Sequence, residues 1–415
     1  MTRPAAPLWR PLVARDRRQP DRAATPLELL FDLCFVVAVA QAAARLEHGL
    51  AAGGEHVGTS VLNYALVFFA IWWGWVNFTW FASAYDNDDV PYRLLTLLQI
   101  AGVLVLAAGV PRAFDHRDFA LVAGGYVLLR ASMVSQWLRA AHDYPAGRRV
   151  ALRFGVGIGL VQIGWVGWLL FVSGSWKLVG FSVLAALELA VPVVAEHAGP
   201  PTTWHPEHIG ERYGLFTLIV LGEVVAAATG TVQSAISAAG VSAPLMVVAF
   251  GGLLLIFALW WSYFDYPAAE GLRRAPFGSV FRWGYGHVLV FAALAAVGAG
   301  LSVAAETVSD HAGLSVRAAA LALAVPTAAY LMVVAVLHRW VNRRDQAALP
   351  RWWGAALLVL AIAAAAPAIS LEAAVALIGL TVAGLIALDL LWPPLPRRRR
   401  TASGRAATLP SSSPR

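Results

Sequence analysis

The sequence is poor in charged residues and contains a single cysteine. Aspartate, glutamate, lysine and arginine together make up 13% of its 415 residues, against about 25% in ordinary soluble proteins. This scarcity of charge argues against a soluble enzyme or a soluble binding domain. Cys34 is the only cysteine, so an intramolecular disulfide and a cysteine-based zinc site are both excluded. Because Cys34 lies in an apolar run, we interpret it as a small core residue.

Motifs of several enzyme classes are also missing. The sequence has no phosphate-binding loop, no dinucleotide-binding fingerprint and no nucleophile elbow, and it shows no repeat with a period of about 20–50 residues. The first 25 residues contain six arginines and no apolar stretch, so we expect no cleaved signal peptide. We expect no cofactor, and the sequence favours a function that is not enzymatic.

Long apolar segments dominate the sequence instead. Apolar residues make up 59% of the chain, and they form segments of the roughly 20 residues that an α-helix needs to cross a bilayer. We therefore predict an all-α, polytopic membrane protein with about 12 transmembrane helices in contact with the lipid bilayer. The predicted spans are residues 27–46, 61–82, 93–111, 119–138, 150–172, 176–195, 212–230, 241–263, 284–303, 316–337, 352–370 and 372–392.

The distribution of basic residues predicts the orientation of these spans. If the N-terminus is cytoplasmic, 25 of the 31 lysines and arginines fall in cytoplasmic segments and five in external ones, while Arg130 lies inside a span. The positive-inside rule expects such a bias. We therefore expect both termini to be cytoplasmic, with residues 1–25 forming a basic cytoplasmic segment.

The C-terminal tail, residues 393–415, is predicted to be a disordered basic cytoplasmic segment. It is rich in serine, proline and alanine and has no apolar face, a composition that does not support a packed core. Its run Arg397–Arg400 directly follows the last span, where we expect it to contact anionic lipid. Nucleic acid is not an expected partner.

One pattern occurs twice and predicts two related halves. In each half an acidic residue opens a long apolar helix, Glu28 in the first and Glu211 in the second, and a tryptophan-rich segment then ends at Asp86 or Asp265. We predict two parallel six-helix repeats related by a two-fold axis along the membrane normal, since each repeat contains an even number of spans. The predicted repeats are residues 26–195 and 212–392, joined by a cytoplasmic linker at 196–211.

The same stretches resemble a known family. P-L-E-L-L-F-D-L-C-F-V-V-A-V-A-Q at 26–41 and E-R-Y-G-L-F-T-L-I-V-L-G-E at 211–223 are similar to the two signature stretches of bacterial low temperature requirement A (LtrA) proteins, and W-W-S-Y-F-D-Y-P at 260–267 also fits. The resemblance runs from about Thr25 to Trp392. It implies a multi-pass protein of the bacterial cytoplasmic (inner) membrane, linked by name to growth in the cold, without an established biochemical activity.

Two acidic residues stand at the start of the first span. The segment from Thr25 to Glu28 has the pattern of a capping box, with Pro26 in the first helical position and Glu28 bonding back to the cap. This pattern explains Glu28 without a ligand, and a role in ion binding is the equal alternative. Asp32 lies one turn deeper on the same face, about 6 Å along the helix. We predict that Asp32 is buried and either paired or functional.

Three further charges, Arg130, Glu188 and Glu223, are predicted to lie deep in the membrane. Glu223 is about 18 Å beyond Glu211 along the helix, too deep to reach water from either side. Arg130 needs a carboxylate partner, because a lone arginine in a bilayer is strongly unfavourable. The sequence leaves Glu223, Glu188 and Asp32 open as that partner, and our first hypothesis is a pair with Glu223. Ion or proton handling and structural pairing are the alternatives for each charge.

Acidic side chains and a histidine also collect at the cytoplasmic helix ends. Asp86, Asp265, Glu211 and Glu28 are predicted to share that face, where carboxylates attract cations. His208 and Glu211 are spaced to project from one side of a helix, which makes them weak candidates for metal ligands. The alternative is that these carboxylates are simply solvated, and neither an H-E-x-x-H motif nor a cysteine pair supports zinc.

The sequence best fits secondary transport. A transporter, or a proton- or cation-coupled carrier, of a small ion or small molecule would use both the repeats and the buried charges. A cation channel is one alternative, although no filter-like loop appears between the spans. An intramembrane enzyme and a structural membrane protein of the cold-growth response are the others. The sequence leaves the substrate and the oligomeric state open.

Overall fold

The structure is a computed structural model that describes most of the chain. The described residues are 7–16, 19, 22–85, 87–197, 199, 202–266, 268–309, 313–341 and 348–392. Asp86 and the tail from residue 393, with Arg397–Arg400, lie outside them. The expectations of a disordered tail and of its contact with anionic lipid therefore stay predictions.

The described chain is almost entirely helical, as predicted. Twelve long α-helices and one short one, α9, follow one another, with a 3₁₀ turn at Pro145–Gly147. The helices are α1 (Pro26–Ala52), α2 (His56–Tyr85), α3 (Val90–His116), α4 (Ala120–Asp143), α5 (Arg148–Phe171), α6 (Trp176–Glu196), α7 (Pro206–Ala239), α8 (Ala243–Phe264), α9 (Ala268–Arg274), α10 (Phe277–Val308), α11 (Val316–Val341), α12 (Leu349–Ile369) and α13 (Leu371–Leu391).

Eleven of the twelve long helices are long and apolar enough to cross a membrane. The exception is α4, although its 24 residues would extend about 36 Å. It is more polar because it buries polar side chains against its neighbours, among them Arg130, Ser132, Gln136 and Arg139. The prediction of about twelve spans is therefore supported by composition for eleven helices and by length alone for α4.

The first helix begins where the sequence predicts. Thr25 is its N-cap: the N–H of Glu28 donates to the Thr25 hydroxyl oxygen, and the N–H of Thr25 donates to the Glu28 carboxylate. The capping box is thus confirmed. Helix α7 begins at Pro206, inside the residues predicted as a linker, 196–211. The reason is the same in both helices: proline suits the first helical turn, where its missing N–H would have no intrahelical partner.

The two halves of the chain pack their helices in nearly the same order. In the first half α1 packs on α2 and α3, and each helix from α3 to α6 packs on the next. In the second half α7 packs on α8 and α10, and each helix from α10 to α13 packs on the next. The last helices differ: α13 lies along α8, whereas α6 packs chiefly on α5. The halves meet where α1 contacts α7 and α10.

Contacts between helix ends define two faces of the bundle. Helices α1 and α7 begin together on one face, where the N–H of Ala24 donates to Glu211; we call it the N-face. Arg45, near the end of α1, pairs with Asp115, near the end of α3, on the opposite face, which we call the far face. Helices α2, α4 and α6 therefore begin at the far face and end at the N-face.

Helix α6 has charged side chains on its buried side and apolar side chains on its exposed side, as expected at the edge of a membrane bundle. Its only buried residues are Glu188, Ala195 and Glu196, while apolar side chains such as Leu187 and Val194 are exposed. An apolar surface of this kind is stable against lipid tails, and charged side chains in a membrane helix turn toward the protein interior. The arrangement supports contact of the bundle with a lipid bilayer.

Glycines allow α3 and α4 to approach closely. A Cβ atom on Gly125 would lie 2.4 Å from the carbonyl oxygen of Gly102, and one on Gly102 would lie 2.7 Å from the carbonyl oxygen of Gly125. Small residues that let backbones touch are typical of contacts between membrane helices. This contact holds α4, which carries Arg130, close against α3.

Candidate functional site

The starts of α1 and α7 meet in a buried group of charges, which we call the α1–α7 cluster (Arg22, Glu28, Asp32, His208 and Arg212). Asp32 accepts two hydrogen bonds from Arg212, from Nη2 at 2.6 Å and from Nε at 3.1 Å. Both side chains are completely buried, and this forked contact is the strongest geometry for the pair. Asp32 is therefore buried and paired, as predicted, and its partner is Arg212.

Glu28 supplies the second negative charge of the cluster. Its Oε1 lies 3.1 Å from Nη1 of Arg212 and 3.0 Å from Nε2 of His208, with Nη2 of Arg22 at 3.8 Å. Its other oxygen accepts the N–H of Thr25 at 2.7 Å. Glu28 thus caps α1 with one oxygen and faces basic side chains with the other.

The cluster joins matching positions of the two helices. Pro26 and Pro206 each lie in the first turn of their helix. In both helices, charged residues of the cluster follow two and six positions after the proline, acidic in α1 and basic in α7. Asp32 accordingly bonds to Arg212, 180 residues later, and the other acidic position faces its own counterpart in the same way. Matching positions can touch only where α1 and α7 cross.

A second buried ion pair joins α4 to α6. Nη2 of Arg130 donates to Oε2 of Glu188, and both side chains are completely buried. The indole N–H of Trp73 donates to the same oxygen at 2.8 Å, while the Tyr126 hydroxyl and the Trp165 indole donate to the other oxygen at 3.3 and 3.2 Å. Glu188 thus accepts four hydrogen bonds from α2, α4 and α5, which compensates for the burial of its charge.

Two cavities lie on either side of the Arg130–Glu188 pair. Cavity A is lined by the far-face parts of α2, α4, α5 and α6, including Tyr126 and Trp165. Cavity B is lined by the N-face parts of the same helices and by α10, and it includes Trp73. Because wall residues of both cavities donate to Glu188, this carboxylate lies between the two.

The walls of the cavities differ in polarity. Cavity A is lined almost entirely by aromatic and aliphatic side chains, and Gln162 is one of its few polar residues. The Oε1 atom of Gln162 is buried without a hydrogen bond to a described residue. Cavity B also contains Asn77, Glu196 and Thr202. Its Glu196 carboxylate accepts the N–H and the hydroxyl of Thr202 at 2.9 and 2.5 Å, so the N-face cavity has the more polar wall.

Arg130 keeps hydrogen-bond donors free. Its Nε and Nη1 have no hydrogen-bond partner within the described part of the chain. Its guanidinium carbon lies 5.3 Å from the centre of the Tyr126 ring, a cation–π contact. Unpaired buried donors cost about 1–3 kcal/mol each, and neighbouring guanidinium N–H groups match the two oxygens of a carboxylate or similar oxyanion. Each free donor of Arg130 shares an edge of the guanidinium with Nη2, the donor that Glu188 occupies.

The hypothesis that Arg130 pairs with Glu223 is wrong. Arg130 pairs with Glu188, because α4 and α6 both pack on α5, whereas α7 packs on α1, α8 and α10. Glu223 is half-buried on α7 and forms no ion pair with any described residue. Glu223 therefore does not belong to either charge centre.

The other candidates at the N-face are not brought into one site. Glu211 accepts a backbone N–H from the segment before α1, Asp265 is exposed at the end of α8, and Asp86 lies outside the described residues. His208 faces Glu28 rather than Glu211. Within the described ranges no three His, Cys, Asp or Glu side chains are grouped so that they could hold a metal ion. The metal interpretation of His208 and Glu211 gains no support.

Sequence reasoning missed the role of Arg212 and of two tryptophans. The positive-inside count places Arg212 at the cytoplasmic surface, yet it is completely buried on Asp32. The equal spacing of the two residues after helix-starting prolines marks them as equivalent positions, but spacing does not show that the two helices touch. Trp73 and Trp75 are not among the predicted site residues, yet Trp73 donates to Glu188 and Trp75 donates to Asp32 at 2.7 Å. No sequence pattern separates such donors from ordinary core aromatics.

A third ion pair fastens the N-terminal segment to the N-face. Asp89, the N-cap of α3, bonds to the Arg139 side chain and accepts the N–H groups of Arg10 and Tyr92 at 2.9 and 3.0 Å. Burial raises the pKa of the Asp89 carboxyl, but the hydrogen bonds from Arg139 and the two backbone groups outweigh it, so the pKa lies below its ordinary value.

We expect Asp89→Asn to loosen the N-terminal segment while the bundle stays folded. Asparagine still caps α3, but the bond to Arg10 loses its charged acceptor, which contributes about 1.5–3 kcal/mol. Trypsin should therefore cut after Arg15 about tenfold faster, the factor that corresponds to about 1.4 kcal/mol. Asp88→Asn is the control, since Asp88 forms only an exposed pair. Equal cleavage of wild type and Asp89→Asn would contradict the prediction.

The lowered pKa of Asp89 also predicts a pH dependence. A carboxyl whose pKa is lower in the folded state stabilises that state above the unfolded pKa, and the contribution is lost as pH falls through the folded pKa. The thermal unfolding midpoint of the wild type should therefore fall on acidification below about pH 4, the ordinary aspartate range. The fall should be smaller in Asp89→Asn and unchanged in Asp88→Asn.

Two comparisons relate this chain to known proteins. The family described as "Bacterial low temperature requirement A protein (LtrA)" matches residues 23–388, which include both fully buried ion pairs and both cavities. The "Uncharacterized protein RA0937" of Rhizobium meliloti (strain 1021) is 28% identical over 265 residues, which are 60% of this chain and 59% of that protein. The match thus spans about three fifths of the length of this curated relative.

Proposed function

The chain belongs to the bacterial low temperature requirement A (LtrA) family of membrane proteins, and we propose that it is a secondary transporter of a small solute. The proposal is carried by one observation, the buried Arg130–Glu188 pair between cavity A and cavity B. A transporter needs a binding site near the middle of the bilayer that can be reached from each side in turn. Here one carboxylate is bonded to the walls of two cavities that extend toward opposite faces.

Rocking of the α5–α6 hairpin is the motion we propose for changing access. Helix α6 packs chiefly on α5, and its polar links to the rest of the bundle include Glu188 and the bond from the Tyr285 hydroxyl to the Leu189 carbonyl. The hairpin also packs on α4 through α5, and sliding along this contact would let it tilt as a rigid body. Tilting about Glu188 would widen cavity A while it narrows cavity B, or the reverse.

We also propose that the fold consists of two parallel six-helix repeats. The similar packing order of the halves supports this, and so does the contact between matching positions. In a two-fold arrangement a residue touches its own equivalent only at the axis, so the axis would pass between Asp32 and Arg212. The second repeat would then start at Pro206. Helices α11 and α13 carry no charge near their middles, so only the first repeat would form the pathway.

The proposed location is the bacterial cytoplasmic membrane with the N-face toward the cytoplasm. The bias of basic residues supports this orientation. The number of helices fits an orientation with both chain ends on one side. Helix α1 begins at the N-face, and α13 ends at the same face after an even number of long helices. In this orientation cavity B opens toward the cytoplasm and cavity A toward the outside.

Thiol labelling from each side of the membrane tests the proposed pathway. The single native cysteine is first removed by Cys34→Ser, and one cysteine is then introduced in each cavity, Ala123→Cys in cavity A or Asn77→Cys in cavity B. A membrane-impermeant methanethiosulfonate reagent should label Ala123→Cys in right-side-out vesicles and Asn77→Cys in inside-out vesicles. Leu160→Cys is the control, because Leu160 is 64% exposed on the apolar surface and should be labelled from neither side.

Three results would contradict a transporter. Labelling of both cavity positions from the same face would mean that the cavities do not open to opposite sides. Labelling no faster than that of Leu160→Cys would mean that the cavities are closed to water. Full labelling of both positions from both faces would indicate a continuous channel.

A further inference from the structure

We infer that the transported solute is a hydrophobic organic anion, which binds Arg130 in exchange for Glu188 while Glu188 takes up a proton. This inference rests on the proposed function, because it names the solute class and the coupling ion of the same site.

The walls of cavity A select the body of the solute. Phe69, Phe119, Trp165 and Phe181 contribute aromatic surface, and the rest of the wall is mainly aliphatic. A small inorganic ion would lose its hydration shell in such a cavity without gaining replacement ligands. A solute with an apolar ring or a branched chain would instead gain from leaving water, by about 25 cal/mol for each Å² of apolar surface buried.

The free donors of Arg130 select the charge of the solute. Nη2 is bonded to Glu188, while Nε and Nη1 are buried with no hydrogen-bond partner in the described part of the chain. Each of these two donors shares an edge of the guanidinium with Nη2, so an oxyanion with two oxygens can accept from Nη2 and one of them at once when it takes the place of Glu188. A cationic solute would be repelled by Arg130, and a neutral one would leave these donors unsatisfied. The centre therefore favours a carboxylate, a sulfonate or a related anion.

Charge balance in the apolar site requires the proton. Arg130 and Glu188 are neutral as a pair, so a bound monoanion adds one negative charge to a fully buried centre, which is strongly unfavourable. Glu188 can remove this charge by binding one proton. The other titratable groups that face it are the hydroxyls of Tyr126 and Tyr285, with Glu196 two turns further along α6. The tyrosines are already neutral when protonated, so the proton goes to Glu188.

This exchange couples one proton to each monoanion. Protonated Glu188 releases Arg130, and its carbonyl oxygen can still accept from either Trp73 or Trp165, since their indole N–H groups point at different oxygens of the carboxyl. The solute and the proton then cross together, with no net charge moved. When the solute leaves, Glu188 loses its proton and returns to Arg130. No covalent bond other than the O–H bond of Glu188 changes.

Binding of 2-naphthalenesulfonate as a function of pH tests the exchange. This probe has an aromatic body and a sulfonate that stays charged, and its binding to the purified, detergent-solubilised protein can be measured by equilibrium dialysis. Methanesulfonate tests the need for the apolar body, and 2-naphthalenemethanol tests the need for the charge. We expect the aromatic sulfonate to bind at least tenfold more tightly than either. Its affinity should rise as pH falls, approaching tenfold per pH unit, since one proton is bound with each anion.

Two variants separate the roles of the pair. Glu188→Gln removes the competing carboxylate, so binding of 2-naphthalenesulfonate should become tighter and independent of pH. The neutral double variant Arg130→Gln with Glu188→Gln leaves no buried charge to disturb folding, and it should bind the probe at least tenfold more weakly than wild type. Asp389→Asn is the control: Asp389 also contacts an arginine and a tryptophan, Arg351 and Trp352, but lies outside both cavities, and it should bind as wild type does.

The outcomes distinguish this inference from the proposed function. Unchanged binding in the double variant would overturn the role of Arg130, and a pH-independent affinity in the wild type would overturn the exchange with Glu188. Equal binding of methanesulfonate and 2-naphthalenesulfonate would overturn the inference that the solute needs an apolar body. If thiol labelling reaches both cavities but 2-naphthalenesulfonate does not bind, the transporter proposal stands and the solute class is wrong.

Discussion

Replacing Arg212 with glutamine is expected to destabilise the protein by about 3–5 kcal/mol, the range for removing one partner of a buried ion pair. Arg212 bonds to Asp32 and faces Glu28, and all three side chains are buried. The variant would leave two carboxylates in the cluster with only Arg22 and His208 as basic neighbours. The loss should appear as a shift of the unfolding midpoint in SDS titration of the detergent-solubilised protein, followed by tryptophan fluorescence.

Exchanging the charges should recover part of this loss. Asp32 and Arg212 occupy the same position after Pro26 and Pro206, so Asp32→Arg combined with Arg212→Asp places each side chain on an equivalent turn of the other helix. The new arginine would lie beside Glu28 on its own helix and could still pair with the new aspartate. We expect the double variant to be more stable than either single one, although it will not reach wild type, because Trp75 would lose its acceptor.

The matched control for Arg212 is an arginine pair at the surface. Arg93 pairs with Asp88, and their side chains are 46% and 56% exposed. Such pairs contribute about 0–1 kcal/mol, so Arg93→Gln should change the midpoint little. A midpoint for Arg212→Gln that equals that of Arg93→Gln would contradict a structural role for the α1–α7 cluster.

Glu188→Gln is expected to have an effect of similar size, about 3–5 kcal/mol, because it leaves the buried Arg130 without a counter-charge. Removing both charges should largely restore stability: in Arg130→Gln with Glu188→Gln, the new amides can bond to each other, and one of the two indoles, Trp73 or Trp165, can still donate to the amide oxygen of residue 188. Neutral replacements of a buried ion pair are often close to neutral in stability. The same SDS titration measures the three variants.

Glu223→Gln is the control for this second pair. Glu223 is half-buried and unpaired within the described chain, so its substitution should change the free energy of unfolding by about 0.5 kcal/mol or less, as for most residues outside such pairs. The structure would be contradicted if Glu223→Gln were as damaging as Glu188→Gln. It would also be contradicted if Arg130→Gln rescued Glu223→Gln and failed to rescue Glu188→Gln.

Three features of the candidate site could be predicted from the sequence, each for a physical reason. Thr25 and Pro26 predict the start of α1, because capping depends on residues that are adjacent in the chain. The burial of Asp32 follows as well, because a residue one turn inside a span has no water to reach. The need of Arg130 for a carboxylate partner is of the same kind, since it depends on depth in the membrane and not on neighbours.

The partners themselves could not be predicted. Depth along a helix is known from the sequence, but the direction of a side chain toward one neighbour or another depends on which helices touch. Glu223 and Glu188 both lie near the middle of a span, and only the packing of α4 and α6 on α5 assigns Arg130 to Glu188. Arg212 was misplaced for a similar reason: α7 begins at Pro206, which moves Arg212 deeper than the span predicted from hydropathy.

By itself, the sequence determined the membrane class, the helical content, the number of long helices and the family. The structural features among these can be read from each segment separately, because a segment that crosses a bilayer must be long, apolar and able to satisfy its own backbone hydrogen bonds. The tertiary structure alone decided that α1 and α7 cross at oppositely charged positions, that Trp73 and Trp75 donate to buried carboxylates, and that wall residues of two cavities donate to Glu188. These features depend on contacts between segments far apart in the chain, and such contacts are set by the joint packing of all the helices, which no local pattern of residues encodes.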